Sequence, residues 1–394
     1  MVRLGELVEE SIPRRKLSEL DLVTFVGMQD LSEDGMLKTQ HVMKYQRIKA
    51  GLTYFERNDV LIAKITPCFE NGKGANLINL RTQVGYGSTE FHVLRAKNGC
   101  DPGYIYQQTI SSKFRRRLES EMVGTAGHRR VSLSAIEDYE LLVSHSSEEQ
   151  KAIAKALSDV DELIVSLEKL IAKKRDIKTA TMQQLLTGNL RLPGFGEGKG
   201  YKQTELGEIP EDWDVVLLKE LCGSFKTGKL DANEMKPDGE YRFYTCARKY
   251  YWIDSYAFDT EALLVSGNGA NVGYVHYYKG RFNAYQRTYV ISDFYADLMY
   301  LKVYMERKIG ERIRVEVNAG NTPYITMDTL TDMAVVLPLE IEEQKAISTV
   351  LFDMDTEINN LAGRLNKTKS IKQGMMQELL TGRTRLVDVA VTSK

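Results

Sequence analysis

The strongest hydrophobic pattern in the chain is a heptad repeat that occurs twice. Apolar side chains recur at alternating steps of four and three residues, first within 148–192 and again within 342–386. This spacing keeps the apolar stripe on one side of a helix, where it packs against another helix. The predicted helix-pair interface is formed by Ile153, Leu157, Val160, Ile164, Leu167 and Ile171 in the first segment and by Ile347, Leu351, Met354, Ile358, Leu361 and Leu365 in the second.

The two heptad segments are copies of one another. They lie 194 residues apart without a gap, and 22 of their 45 positions are identical, including EEQKAI at the start and LLTG near the end. Ser147 with Gln150 predicts a capping box at the first helix start, and Gly188 and Gly382 are typical helix stops. A helix of about 40 residues is roughly 60 Å long. The pattern therefore predicts two tandem units, each a domain followed by a long helix.

Connectivity predicts the direction of the two helices. The first helix leads through a glycine-rich segment to the second domain, and the second helix leaves that domain. If the second helix covers the apolar stripe of the first, it must run back along it, which gives an antiparallel coiled coil with two similar modules held at a fixed separation. Packing of each stripe against its own domain, or against a second chain, remains an alternative.

The regions before each helix have mixed α and β patterns. Buried strands are predicted at 59–65 and 261–266, further strands at 90–95 and 285–292, and a helix after Asp101 and after Asp297 in the respective regions. The predicted fold class is α+β, with two mixed α/β domains separated by two long helices and related by a pseudo-two-fold internal repeat. The predicted boundaries are 1–147 for the first domain, 148–192 for the first helix, 193–204 for a linker, 205–341 for the second domain, 342–386 for the second helix and 387–394 for a C-terminal tail.

Composition is typical of a folded protein that stays in the cytoplasm. Hydrophobic residues make up 43% and charged residues 27% of the 394 positions, which is enough apolar surface to form real cores. The chain start carries no signal-peptide pattern, and no apolar run is long enough to span a membrane. The four cysteines, at 68, 100, 222 and 246, stand far apart, so reduced thiols are expected.

The formal net charge of −1 is mild evidence against nucleic-acid binding, because most nucleic-acid-binding proteins carry a basic excess. Local clusters of Lys and Arg are nevertheless present, and their ordinary interpretation is a solvated surface. These clusters lie at 14–16, 115–117, 129–130, 173–175 and 248–249.

Motifs for catalysis are incomplete. The loop GNGANVG at 267–273 follows a strand but has the wrong glycine spacing for a dinucleotide site, and another strand follows it. The chain has no GxxxxGK[ST] sequence, its five histidines show no metal-ligand spacing, and the carboxylate pattern of a nuclease is missing after Pro237 and Asp238. No catalytic residue, no metal site and no cofactor site is therefore predicted in this chain.

Polar and basic loop residues are better suited to binding DNA. Arg and Lys pair with guanine and Asn and Gln with adenine, so a loop-rich polar set can read base edges. A turn or an internal hydrogen bond is the ordinary role of any one of these residues. The predicted DNA-binding residues are Lys64, Thr66, Asn71, Lys73, Ser88, Thr89, His128, Arg129 and Arg130 in the first domain, and Ser266, Asn268, Asn271, Tyr285, Gln286, Arg287, Thr288, Asn321 and Tyr324 in the second.

Over nearly its whole length the chain resembles the specificity subunit of Type I restriction-modification systems. The resemblance rests on the EEQKAI helix starts, the LLTG helix ends, the sequence LGEIPEDW at 206–213, and GNGANVG followed by FNAYQRTYV at 282–290. It implies that each domain is a target recognition domain reading one half of a split double-stranded DNA target, while the helix pair fixes the unread gap. It also implies two methyltransferase subunits that bring S-adenosylmethionine, and restriction subunits that bring ATP, Mg²⁺ and cleavage.

Two other classes of function remain as alternatives. The first is a coiled-coil adaptor that joins protein partners without recognising DNA, and it predicts no salt-sensitive DNA affinity. The second is a nuclease or methyltransferase that acts alone, and it predicts activity from this chain without partners.

Overall fold

Two compact units make up the chain. The computed structural model describes residues 1–125, 127–141, 146–316 and 324–387, with the backbone only for 314–316. The first unit comprises Met1–Lys169 together with Gly363–Lys394, and the second comprises Leu170–Ala362. Each unit contains one mixed α/β domain and parts of both long helices, so the predicted fold class is confirmed.

The domain of the first unit contains three small sheets and three short helices. Its strands pair in the orders β1-β9, β3-β2-β7-β4 and β6-β5-β8. The strands are β1 (Val2–Arg3), β2 (Leu22–Val26), β3 (His41–Lys44), β4 (Thr53–Glu56), β5 (Val60–Ala63), β6 (Gly74–Asn76), β7 (Val84–Gly87), β8 (Phe91–Leu94) and β9 (Glu140–Leu141). The helices are α1 (Pro102–Ile110), α2 (Ser112–Glu119) and α3 (Leu133–Glu137), and the long helix α4 (Ser147–Leu186) follows.

All four residues of strand β5 are buried, so this strand lies in the core of the domain. Val60 and Ile62 belong to one apolar cluster and Leu61 to another, since successive side chains of a strand point to opposite faces. Helix α1 begins as predicted: the Asp101 carboxylate accepts a hydrogen bond from the Tyr104 amide at 2.9 Å, and Pro102 occupies the first turn.

The domain of the second unit is built on a larger sheet. Its six-stranded sheet has the order β13-β18-β16-β17-β14-β15, in which β14 pairs parallel to β17 and the other neighbours are antiparallel. The strands are β10 (Tyr201–Thr204), β11 (Gly207–Pro210), β12 (Trp213–Leu217), β13 (Cys222–Thr227), β14 (Tyr241–Tyr244), β15 (Tyr251–Ile253), β16 (Phe258–Ser266), β17 (Val275–Ala284), β18 (Thr288–Phe294) and β19 (Ala334–Pro338). The helices are α5 (Leu218–Leu221), α6 (Leu298–Glu316), α7 (Met327–Thr331) and the long α8 (Ile341–Leu379).

The long helices pair antiparallel within each unit, as the connectivity predicted. Ion pairs among the described residues show the direction. As the residue number along α4 rises, the number of its partner along α8 falls. In the first unit the pairs are Glu149 with Arg385, Asp161 with Lys372 at 2.6 Å and Glu168 with Lys369 at 2.7 Å. In the second they are Lys174 with Glu357 at 2.7 Å, Lys178 with Asp355 at 2.6 Å and Arg191 with Glu343 at 2.5 Å.

The apolar stripes of both helices are covered. Each of the twelve predicted interface residues is buried or half-buried. In the first unit Ile153 and Leu157 of α4 lie in one cluster with Leu379 of α8, and in the second unit Leu351 of α8 lies in one cluster with Leu186 of α4.

The repeated EEQ sequence has the same structural role at both helix starts. The side-chain oxygen of Gln344 accepts from the Asp297 amide at 2.8 Å, and that of Gln150 accepts from the Asp101 amide at 2.9 Å. Each glutamine therefore ties its long helix to the first residues of a domain helix. The preceding glutamates, Glu149 and Glu343, are both 1% exposed. Glu149 accepts from Arg385, which follows α8, and Glu343 accepts from Arg191, which follows α4.

Three local features differ from the prediction. The cap of α4 is Ser146, whose hydroxyl accepts from the Glu149 amide at 3.0 Å, so Ser147 is already helical and Gln150 contacts the domain instead of the cap. The segment 193–204 contains β10, which pairs with β11 in a hairpin. Arg115 is not solvated: it is 7% exposed and donates to carbonyls of Thr109 and Phe69.

Candidate nucleic-acid interface

Most of the predicted loop residues of the first domain meet at one edge of its three-stranded sheet. The loop ending at Arg130 pairs with Ile65 just after β5, and the Thr66 amide donates to the Arg129 carbonyl at 3.0 Å. Lys64 reaches the carbonyl of Thr89 on the turn before β8 at 2.8 Å. The segments around 64–66, 88–90 and 128–130 therefore form one surface, on which His128 is exposed.

Carboxylates hold the two arginines of this surface in place. The Arg130 guanidinium donates to both oxygens of Glu90, at 2.9 and 3.2 Å, and Arg129 donates to Glu70 at 3.2 Å. The hydrogen bonds from Arg130 hold the pKa of Glu90 below its usual value, so this carboxylate is ionised at neutral pH. Thr66 donates to the same Glu70 oxygen at 2.9 Å. The guanidinium groups of Arg129 and Arg130 are thus held in place without a bound ligand.

Asn71 and Lys73 face another part of the first domain. The Asn71 amide donates to the Glu33 carboxylate at 2.9 Å, and the Lys73 ammonium donates to the Met28 carbonyl at 3.2 Å. Both side chains are therefore engaged with the segment after β2. Ser88 accepts from the Glu90 amide at 3.2 Å, an ordinary turn contact.

In the second domain the predicted residues surround the ends of β16 and β18. The Asn268 backbone pairs with Tyr324, and the Gly267 amide donates to the Arg287 carbonyl at 2.8 Å. Gln286 and Arg287 are exposed, and Tyr324 is 63% exposed. Loops from three parts of the sequence thus meet at one edge of the six-stranded sheet, together with the half-buried Tyr285.

Two predicted residues lie below this edge instead of on it. Ser266 and Thr288 are register partners on β16 and β18, and each is 0% exposed. Their hydroxyl groups are therefore enclosed within the domain and are not part of its surface. Asn321 lies outside the residues that the structure describes.

A further loop, 245–250 after β14, belongs to this edge and was missed as part of the site. The Cys246 thiol donates to the Arg287 carbonyl at 3.4 Å, and the Asn271 side chain donates to the Cys246 carbonyl at 3.1 Å. The same loop carries Arg248 and Lys249, both exposed, two and three residues after the contact of Cys246 with the Arg287 carbonyl. Lys229 joins them, because the Gln286 amide donates to the Leu230 carbonyl at 2.9 Å. In the sequence, the basic pair at 248–249 was the only sign that this loop belongs to the site.

Two further properties concern the described residues as a whole. Among them, no three His, Cys, Asp or Glu side chains are grouped so as to hold a metal ion. None of their helices combines the length and the apolar character needed to cross a membrane.

Comparison with known proteins gives a consistent result. Residues 2–178 and 210–370 match the family model described as "Type I restriction modification DNA specificity domain". The Type I restriction enzyme EcoDI specificity subunit of Escherichia coli is 38% identical over 175 residues, which cover 44% of this chain and 38% of that protein. The matches to two further E. coli specificity subunits, EcoEI and EcoAI, cover 22% and 15% of those proteins, so this chain spans well under two thirds of the E. coli relatives it matches.

A longer match is found with a specificity subunit from an archaeon. The Type I restriction enzyme MjaVIII specificity subunit of Methanocaldococcus jannaschii is 28% identical over 369 residues, which cover 87% of this chain and 83% of that protein. Among solved structures, the Type I restriction-modification S subunit from M. genitalium has a TM-score of 0.61 at 15% identity and covers 96% of this chain and 95% of that chain. At this identity the structural likeness concerns the fold.

Proposed function

Because the chain belongs to the family of the Type I restriction modification DNA specificity domain, we propose that it is the DNA sequence-specificity subunit of a Type I restriction-modification complex. Each domain reads one half of a bipartite double-stranded target. The observation that supports this most is the presence of two mixed α/β domains that differ in sheet topology and loop residues, each attached to a copy of the same long helix. Two different domains on duplicated helices suit two different half-targets.

In this proposal the chain is not catalytic and works with protein partners in the cytoplasm. Two methyltransferase subunits bring S-adenosylmethionine, and restriction subunits bring ATP and Mg²⁺. A protein-binding role for the part of α4 in the second unit is supported by Leu170 and Ile177, which lie seven residues apart and are 39% and 40% exposed. Exposed apolar side chains on a helix that already has one covered stripe are typical of a protein-binding surface.

DNA affinity that depends on salt distinguishes the proposal from a coiled-coil adaptor. The full chain with its methyltransferase subunit is titrated against random duplex DNA at several salt concentrations. We expect the logarithm of the affinity to fall linearly with the logarithm of the salt concentration, because phosphate contacts release counterions. An adaptor would show no such affinity. Activity of the chain without partners would instead favour a nuclease or methyltransferase that acts alone.

Arg287→Ala is expected to weaken recognition of one half-target only. Arg287 is exposed at the loop edge of the second domain, and loss of a base contact costs about 1–3 kcal/mol, or roughly 5- to 150-fold in affinity. The measurement is binding of the assembled complex to duplexes in which one half-target at a time is altered. Arg281→Ala is the matched control, because Arg281 is exposed on the same domain but pairs with Asp259 at 3.0 Å. An equal loss for both half-targets would indicate a general folding role.

A further inference from the structure

The basic side chains at the loop edge of the second domain are not paired with acids. Lys229, Arg248, Lys249 and Arg287 are all exposed, and within the described part of the chain no carboxylate lies in ion-pair distance of any of them. Arg248 lies over the Tyr274 ring at 5.8 Å and Lys249 over the Tyr251 ring at 5.3 Å.

Elsewhere on the same domain, several basic side chains have acidic partners. Such pairs occur between β16 and β17, between α5 and the end of α7, and on α6, at distances of 2.9–3.3 Å. They are Lys219 with Asp332, Lys279 with Glu261, Arg281 with Asp259 and Lys308 with Glu311, and Lys236 pairs with Asp254. Four exposed cations without an acidic partner are therefore grouped where the loops meet.

The corresponding surface of the first domain has the opposite character. Arg129 and Arg130 are each held by a carboxylate, Glu70 and Glu90. An arginine whose charge is already compensated by a carboxylate attracts a phosphate less strongly than an unpaired one. Its planar fork is nevertheless fixed in direction, and its remaining N–H groups are suited to a guanine edge.

From this contrast, and on the basis of the proposed function, we propose that the two domains contribute differently to DNA binding. The loop edge of the second domain, through Lys229, Arg248 and Lys249, contacts phosphates and provides most of the salt-dependent affinity, while Arg287 remains a base contact. The first domain contributes mainly selectivity, through Arg129 and Arg130, with Glu70 and Glu90 as positioning residues.

The test measures two quantities for each variant of the assembled complex: the slope of log affinity against log salt, and the selectivity for each half-target. Each phosphate contact contributes about 0.9 to the slope. The triple variant Lys229→Gln, Arg248→Gln and Lys249→Gln is expected to make the slope less steep by about 2–3. The matched control, Lys236→Gln, Lys279→Gln and Arg281→Gln, removes three paired cations and is expected to change it by less than about 1.

In variants of the first domain we expect the selectivity to fall and the salt slope to change little. Arg129→Gln with Arg130→Gln is expected to reduce selectivity for one half-target by roughly 10-fold or more, with a slope change below about 1. Glu90→Gln is expected to reduce the same selectivity while making the slope steeper, because it releases the charge of Arg130. A merely structural role of Glu90 would not steepen the slope.

The outcomes separate the two proposals. If the wild-type complex shows no sequence-selective binding, the proposed function fails and the division of roles fails with it. If binding is selective but the second-domain triple variant leaves the slope unchanged, or the first-domain pair lowers it equally per cation, the division of roles alone is overturned.

Discussion

Replacing Glu343 with leucine is expected to lower the free energy of unfolding of the second unit by about 3–5 kcal/mol. The Glu343 carboxylate is 1% exposed and accepts from Arg191 at 2.5 and 2.7 Å and from the Trp213 indole at 3.2 Å. Asp212 holds the other side of the same guanidinium at 2.9 Å. Because the Arg191 side chain is only 13% exposed, removing Glu343 leaves a guanidinium that keeps Asp212 but loses its second carboxylate where water reaches poorly, and it also leaves the Trp213 indole N–H without that acceptor.

The duplicated chain provides the matched control. Glu149→Leu removes the equivalent carboxylate in the first unit, where the Arg385 side chain is 46% exposed and can turn to solvent. A smaller loss, about 1–2 kcal/mol, is expected there. Hydrogen exchange of the helix starts at 341–351 and 147–157 measures both units in the same molecule. Equal losses in the two units would contradict the assigned role of burial around Arg191.

Removing one heptad from both long helices is expected to shorten the unread gap of the DNA target without changing either half-target. Deletion of 167–173 and 361–367 takes matching residues from the two copies and keeps the apolar stripe in phase. Seven helical residues correspond to about 10 Å, and therefore to roughly one to three base pairs of duplex. Altered half-targets after this deletion would count against a spacer role.

A single deletion is the control for the double deletion. Removing 167–173 alone shifts α4 against α8 and separates ion pairs such as Lys178 with Asp355, which lie 2.6 Å apart in the intact chain. We therefore expect the single-deletion protein to be less stable than the double-deletion protein. Thermal unfolding of the two variants measures this difference.

The long helices could be predicted because their signal is local and repeated. Ile153 and Leu157 recur in the second copy as Ile347 and Leu351, and antiparallel pairing follows from the order of elements along the chain. The exact start of α4 was wrong by one residue, because Ser146 and Ser147 are equally good caps in sequence. Only the tertiary contact of Gln150 with Asp101 shows that its side chain is unavailable for a capping box.

The loop edge of the second domain was only partly predictable. Asn268 lies just after β16 and Arg287 just before β18, two strands that pair antiparallel, and both were among the predicted residues. Arg248 was missed as a site residue because β14 pairs parallel to β17, a strand more than thirty residues later, and this places the loop after β14 beside the loop after β17, which carries Arg287. Periodicity within one strand carries no information about such a pairing.

The sequence also did not predict which individual polar residues are buried. Ser266 and Thr288 resemble loop residues because glycine and polar residues surround them, yet both are fully buried strand ends. Arg115 lies in a run of three arginines that suggests a solvated face, but its guanidinium is enclosed by backbone carbonyls. Burial raises the energetic cost of its charge and lowers the pKa of Arg115 to about 10.

Mapping of the methylated bases in host DNA that carries the assembled system tests the central claim most directly. Two readers joined by helices of fixed length predict one motif composed of two specific halves and a gap of constant length. A contiguous motif, or a gap whose length varies from site to site, would contradict the account.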